Sequence, residues 1–263
     1  MPRSISRSSQ LLLVLLGPLG LLAGAGCYRP QPATVPLRTL AIPDSPDSQA
    51  SPADPSCLVV FLPGRGDDPE DYLRHGFPAA LRQAGSRCSL LAVDSHLGYF
   101  FDHTITRRLR EDVIAPARAR GVREIWLVGI SLGGLGSLLY ARENPGEVTG
   151  IVLLSPYLGE KEMVEPIAAA GGLRSWAPPA GLEETDLRSL WAWLRGFEKP
   201  EPGRPEVYLA FGARDRFAGA HRLLAEVLPA DHVITLPGRH NWRTWRRLWQ
   251  AFLERRGPLP PRT

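Results

Sequence analysis

The sequence is poor in cysteine and in lysine, and each shortage removes a class of function. Its 263 residues hold three cysteines, Cys27, Cys57 and Cys88, which lack the close ligand spacing of a metal cluster, so no metal is expected. The only lysines are Lys161 and Lys199, and the net charge of +4 rests on scattered arginines rather than a basic tract, so nucleic acid is not an expected partner. No Gly-x-x-x-x-Gly-Lys run is present, and without that phosphate-cradling loop no cofactor is expected. There is no repeat at the ~20–50-residue periods of solenoids and propellers. What remains is a globular balance of 44% hydrophobic and 22% charged residues, enough chain for one α/β domain of ordinary size.

Long hydrophobic runs are also missing. Arg3 and Arg7 precede Leu11-Leu12-Leu13-Val14-Leu15-Leu16, but Gly17, Pro18 and Gly20 interrupt the run well short of the ~20 apolar residues a spanning helix needs. Residues 1–26 therefore read as an export signal. The small residues of Leu22-Ala23-Gly24-Ala25-Gly26-Cys27 resemble the cleavage box of bacterial lipoproteins. That resemblance implies lipidation of Cys27, a membrane contact through the lipid, and a place in the cell envelope facing the periplasm. Ordinary cleavage after Ala23-Gly24-Ala25 would instead release a soluble secreted protein. Residues 27–56 carry Pro30, Pro32, Pro36, Pro43, Pro46, Pro52 and Pro55, a composition that reads as an extended tether, with a short edge strand at Leu37 to Ile42 as a minor alternative.

An odd number of thiols in an exported protein calls for an explanation. With Cys27 lipidated, Cys57 and Cys88 remain as a pair, each just before a run that reads as a strand, Leu58 to Leu62 and Leu90 to Val93. If these strands are parallel neighbours with their starts side by side, a Cys57–Cys88 disulfide is expected in an oxidising compartment; otherwise both are buried free thiols.

The centre of the sequence is Gly129-Ile130-Ser131-Leu132-Gly133. Glu124-Ile125-Trp126-Leu127-Val128 before it has the β-branched and bulky apolar residues of a strand buried on both faces, and Gly133 to Arg142 after it reads as a helix. Gly-x-Ser-x-Gly at a strand-to-helix corner pushes the serine oxygen out at the top of a sheet and leaves the Leu132 amide free to bind an oxyanion. Around it the chain alternates. Leu58 to Leu62 leads into the turn Pro63-Gly64-Arg65-Gly66-Asp67-Asp68, where the Arg65 amide is a candidate for a second oxyanion donor and the run reads equally as ordinary turn chemistry. Pro69 to Ala84 and Ile105 to Arg120 read as helices, the latter with Leu109, Val113, Ile114 and Ala117 on its apolar face. Between them Asp94 to His103, rich in aromatics and histidine, falls where ligands bind in open α/β sheets; it reads equally as pocket lining or as packing for the next helix.

Val148 to Leu154 is a further strand. Residues 157–205 then break the alternation and read as a small cap above the sheet, with a helix from Glu183 to Gly196. Glu206 to Phe211 is a strand followed by Asp215, placed to accept an imidazole proton or, alternatively, to cap a helix or pair with a neighbouring arginine. The last strand, His232 to Leu236, leads to His240, which lies between it and a closing helix whose apolar face is Trp242, Trp245, Leu248, Trp249 and Phe252.

With the Gly-Ile-Ser-Leu-Gly corner, the Gly-rich turn, the terminal Gly-Arg-His and the order Ser131, Asp215, His240 assembled, the sequence resembles the α/β-hydrolase superfamily over roughly residues 57–256, and within it small bacterial esterase-like proteins. The oxyanion turn departs from the pattern, since many relatives begin it with His-Gly. The resemblance implies an α/β fold of about six mostly parallel strands with helices on both faces and a small cap insertion, followed by a tail at 257–263. Its sheet order sets the first two strands beside each other. It also implies an exported serine hydrolase acting on a small acyl-ester substrate through Ser131, His240 and Asp215. An acyltransferase or thioesterase would use the same three residues, and a non-catalytic surface-anchored binding lipoprotein is the alternative of a different class.

Overall fold

The computed structural model describes residues 31–43, 54–199 and 201–259. The expected signal peptide and the lipidation site at Cys27 lie outside the described residues. In chain order the elements are β1 (Thr39–Ile42), β2 (Asp54–Leu62), α1 (Pro69–Arg74), α2 (Phe77–Gln83), β3 (Cys88–Val93), α3 (Leu97–Phe101), α4 (Ile105–Leu109), α5 (Ala115–Ala119), β4 (Glu124–Ile130), α6 (Leu132–Glu143), β5 (Gly150–Leu154), α7 (Lys161–Ala169), α8 (Leu187–Arg195), β6 (Glu206–Gly212), α9 (Ala218–Ala225), β7 (Val233–Leu236) and α10 (Trp242–Arg256).

Seven strands form one sheet in the order β1-β3-β2-β4-β5-β6-β7. The six strands from β3 to β7 are mutually parallel, as expected, and β1 adds an antiparallel edge by pairing Thr39 with Val93 and Ile42 with Leu90. Parallel strands buried on both faces need apolar residues at every position, and successive side chains then feed opposite cores. Val60, Leu62, Leu127, Leu153 and Leu209 pack under α4 to α9 on one face. Val59, Phe61, Val128, Val152 and Ala210 pack under α1, α2 and α10 on the other. Helix α10 supplies Trp245, Leu248, Trp249 and Phe252 to this second core, as its spacing predicts. Each such side chain stabilises the fold by about 1.5–3 kcal/mol when fully buried.

β2 and β3 begin side by side, and Cys57 and Cys88 are joined there by a disulfide, with Cα atoms 4.8 Å apart. The tether reading fails over residues 31–43. Leu37 is buried, its amide donates to Asp112 Oδ2 at 2.8 Å, and Thr34 Oγ1 lies 2.8 Å from the Tyr99 hydroxyl of α3. The minor edge-strand alternative is the correct one, because β3 offers an unpaired edge that four residues suffice to cover.

Two further expectations change. The single helix from Pro69 to Ala84 is two, since Gly76 adopts φ +74° and turns the chain between them. Residues 105–119 form a continuous helical rod, but a π turn over Arg110–Ile114 separates α4 from α5. The extra residue in that turn still leaves Leu109, Val113, Ile114 and Ala117 buried.

Candidate active site

β4 delivers Ser131 to the top of the sheet, where it stands as the N-cap of α6 with φ 49° and ψ −112°. A side-chain-bearing residue there costs about 1–3 kcal/mol unless its surroundings over-determine it. They do. The Ser131 amide donates to Leu154 O on β5 at 3.1 Å, and its carbonyl accepts from Gly134 N, Leu135 N and Tyr157 N at 3.0, 3.2 and 2.9 Å. The corner closes only because Gly129 and Gly133 lack side chains. A Cβ on Gly129 would lie 2.5 Å from Gly133 O, and one on Gly133 would lie 2.0 Å from Leu62 O and 2.6 Å from Pro63 O. The first turn of α6 is thus seated directly on the end of β2 and the start of the Pro63-Gly64-Arg65 turn. As the first residue of α6, Leu132 has an amide with no intrahelical acceptor.

Asp215 and His240 come from the turns that follow β6 and β7. These turns are laced together by Ala213 N to Leu236 O at 2.8 Å and Arg214 N to Gly238 O at 2.9 Å. Beyond them Asn241 caps α10 through its side chain, which accepts from Thr244 N. The imidazole of His240 bridges the other two residues: Nδ1 lies 3.0 and 2.9 Å from the two carboxylate oxygens of Asp215, and Nε2 lies 2.9 Å from Ser131 Oγ. A carboxylate only accepts, so Nδ1 carries the proton and Nε2 presents its lone pair to the serine hydroxyl. The Asp215 side chain is fully shielded from solvent. Burial alone would push its carboxyl up, but the His240 bond and the Phe217 amide, at 2.9 Å, more than offset that and hold it below the ordinary value of 3.8. Phe217 and Trp245 meet the His240 ring edge-on, with centroids 5.2 and 5.0 Å away, and restrict its orientation.

Ser131 opens into a cleft of about 450 Å³ lined by Arg65, Leu97, Phe100, Phe101, Leu132, Leu135, Tyr157, Glu160, Arg216 and Phe217. The stretch after β3 therefore does line the pocket, through its apolar residues. Its histidines do other work: His96 Nδ1 accepts from Gly98 N at 3.2 Å and caps α3, and His103 lines a neighbouring hollow. The expected cap reaches the cleft only through Tyr157 and Glu160. Trp191 is buried and donates to Leu158 O at 2.9 Å, Trp176 is buried in the same core, and Trp193 packs on Phe197, and none of the three lines the cleft.

Arg65, the second expected oxyanion donor, shares the cleft with Ser131 and Leu132. Its turn is pinned from the far side: Trp242 Nε1 donates to Asp67 Oδ1 at 3.0 Å, and the Trp242 ring stacks on His75 at 4.2 Å. The sequence pattern assigns Trp242 to the core alone, because an indole donor leaves no trace in hydrophobic spacing. Phe217, Tyr157, Glu160 and Arg216 are likewise missed, since they sit in turns without periodicity. Behind the site His221 is buried, with Nε2 2.8 Å from Pro156 O, and burial pushes it down to about 4. Among the described residues no group of three His, Cys, Asp or Glu side chains is arranged to hold a metal ion, and no helix is long and apolar enough to cross a membrane.

A family model described as "Alpha/beta hydrolase family" matches residues 59–262. No curated protein matches the chain in sequence. Among solved structures, the chain is similar to a monoacylglycerol lipase from Paleococcus ferrophilus, with 18% identity, TM-score 0.51, and 83% of this chain and 99% of that one covered. It is also similar to the S-formylglutathione hydrolase of Staphylococcus aureus, with 14% identity, TM-score 0.52, and 86% and 97% covered. At these identities the likeness is one of fold.

Proposed function

Because the chain belongs to the alpha/beta hydrolase family, we propose that it is an exported serine hydrolase that cleaves carboxylic esters through an acyl-enzyme. The observation that carries this reading is the His240 ring, bonded at once to Ser131 Oγ and to both oxygens of Asp215. Ser131 attacks the ester carbonyl carbon while His240 Nε2 takes its proton; the tetrahedral oxyanion is received by the amides of Leu132 and Arg65. The imidazolium, steadied by the buried Asp215 carboxylate, returns the proton to the departing alcohol oxygen. Water then attacks the acyl-serine with the same base, releasing the acid and free Ser131.

The Cys57–Cys88 disulfide supports the exported part of the reading, since such bonds persist in oxidising compartments. Attachment through a lipid on Cys27, with the domain facing the periplasm, belongs to the same proposal and is checked by the mass of the mature N-terminal peptide. The central test is labelling with a fluorophosphonate probe. Wild-type protein labels and Ser131→Ala does not; equal labelling of the two removes the assignment.

A further inference from the structure

The cleft beside Ser131 is lined by two unlike sets of residues. Leu97, Phe100, Phe101 and Leu135 form an apolar wall, with Phe101 60% exposed. The same cleft is lined by two exposed arginines, Arg65 and Arg216. Some exposed arginines elsewhere on the surface pair with carboxylates, as Arg74, Arg110 and Arg188 do. Among the described residues neither Arg65 nor Arg216 is in a salt bridge. The one carboxylate lining the cleft is Glu160, whose charge, after burial, helps push the Tyr157 hydroxyl up. Two cations therefore share the lining with one anion, and the mouth of the cleft carries one positive charge in excess.

The position of that charge relative to the reacting atoms decides what it can bind. The Arg216 guanidinium lies over the Phe217 ring at 4.7 Å, and Phe217 meets the His240 ring edge-on at 5.2 Å. His240 must hand its proton to the departing oxygen, so the leaving group lies on the His240 side of the carbonyl carbon, the side that Phe217 and Arg216 line. The acyl part is then directed to the apolar wall.

We propose that the substrate is an ester of an apolar acyl group with an alcohol that bears an anionic substituent, a carboxylate or a phosphate, held by Arg216 with Arg65. This deepens the serine-hydrolase reading and rests on it. Both arginines act on specificity through charge at the cleft mouth; the part of Arg65 assigned to the oxyanion is its backbone amide, which side-chain substitution leaves in place.

The test compares kcat/KM for butanoate esters that differ only in the alcohol: 3-hydroxybenzamide, 3-hydroxybenzoate and 3-hydroxyphenyl phosphate. A phenyl hemiester of glutarate places the anion on the acyl side instead. Two partly exposed charge contacts support a preference of about tenfold for a charged alcohol over the neutral one, expressed mainly in KM, and the carboxylate and phosphate arms show which anion is preferred. Arg216→Gln reduces the preference to about threefold or less, Glu160→Gln raises it, and about 0.5 M NaCl collapses it by screening. A preference ratio near one in the wild type, a ratio unmoved by Arg216→Gln and salt, or a preference for the glutarate hemiester overturns the inference. Fluorophosphonate labelling of Ser131 in the same samples separates the two levels: labelling without charge preference refutes only the anionic alcohol, whereas no labelling refutes the hydrolase reading beneath it.

Discussion

Gly133→Ala sets two opposed effects against each other, and the structure decides the sign. Alanine is favoured over glycine in a helix by up to about 1 kcal/mol, so a substitution in the first turn of α6 would stabilise the protein if space allowed. Space does not allow it. The new Cβ would stand 2.0 Å from Leu62 O, 2.5 Å from Leu62 C and 2.6 Å from Pro63 O, all backbone atoms with no rotamer to relieve them. Relief requires α6 and the end of β2 to separate by about an ångström, and overpacking of this kind costs about 1–3 kcal/mol. The net loss is about 1–2 kcal/mol, a fall in Tm of roughly 2–8 °C for a domain of this size.

The same separation moves Ser131, one residue before the helix, away from the Arg65 turn that follows Pro63. A misplacement on that scale lowers kcat about 100-fold, with a smaller change in KM because three of the four residues of the apolar wall, Leu97, Phe100 and Phe101, belong to α3. Gly219→Ala is the matched control: it lies in the first turn of α9 with nothing within 4 Å of its added Cβ, and Tm should hold or rise slightly. The measurements are calorimetric Tm and steady-state kinetics on an activated butanoate ester for both variants. Wild-type Tm and kcat in Gly133→Ala would refute the close seating of α6 on β2, and with it the proposed pairing of the Leu132 and Arg65 amides.

Asp215→Asn should leave the circular dichroism spectrum intact and lower kcat about 10⁴-fold, because the amide presents a hydrogen to His240 Nδ1 and forces the proton onto Nε2, where it cannot serve as a base toward Ser131. A loss below tenfold would argue against an orienting role. His221 is depressed to about 4 by burial, so the unfolded chain binds a proton that the folded one refuses between about pH 6.5 and 4. Its contribution is therefore fully present above pH 6.5 and is lost as pH falls through that window, by up to about 3 kcal/mol; urea titrations of wild type and His221→Gln should diverge in slope there. Reduction of the Cys57–Cys88 disulfide releases a loop of 31-residue separation, a loss of about 3–4 kcal/mol that should lower Tm by roughly 10 °C, read by calorimetry with and without a reductant.

The parallel strands were legible because burial on both faces forces continuous apolar runs such as Ile125 to Val128, and few other structures write that pattern. Ser131, Asp215 and His240 were legible for a different reason: each follows a strand end, and parallel strands bring their carboxyl ends to one edge however far apart they lie in the chain. β1 was nearly invisible, since four residues among prolines carry no periodicity and their order comes from β3 and α3 rather than from themselves. The break at Gly76 was hidden because the apolar spacing of Tyr72, Phe77 and Leu81 survives on both sides of it. That the expected cap reaches the cleft only through Tyr157 and Glu160 depends on what α7 and α8 pack against, which spacing within the segment does not encode.

The contact between Thr34 and Tyr99 bears on how the protein is cut for expression. A recombinant version starting at Cys57, the boundary that composition suggests, would strip the partner from the outer side of β3 and leave its amides and carbonyls as a template for pairing between molecules. It would also deprive the Tyr99 hydroxyl of its bonds, loosening the short helix that carries Leu97, Phe100 and Phe101. Such a truncation should aggregate and bind acyl chains poorly even with Ser131, Asp215 and His240 all in place, whereas one starting at or before Gln31 keeps the acyl wall anchored.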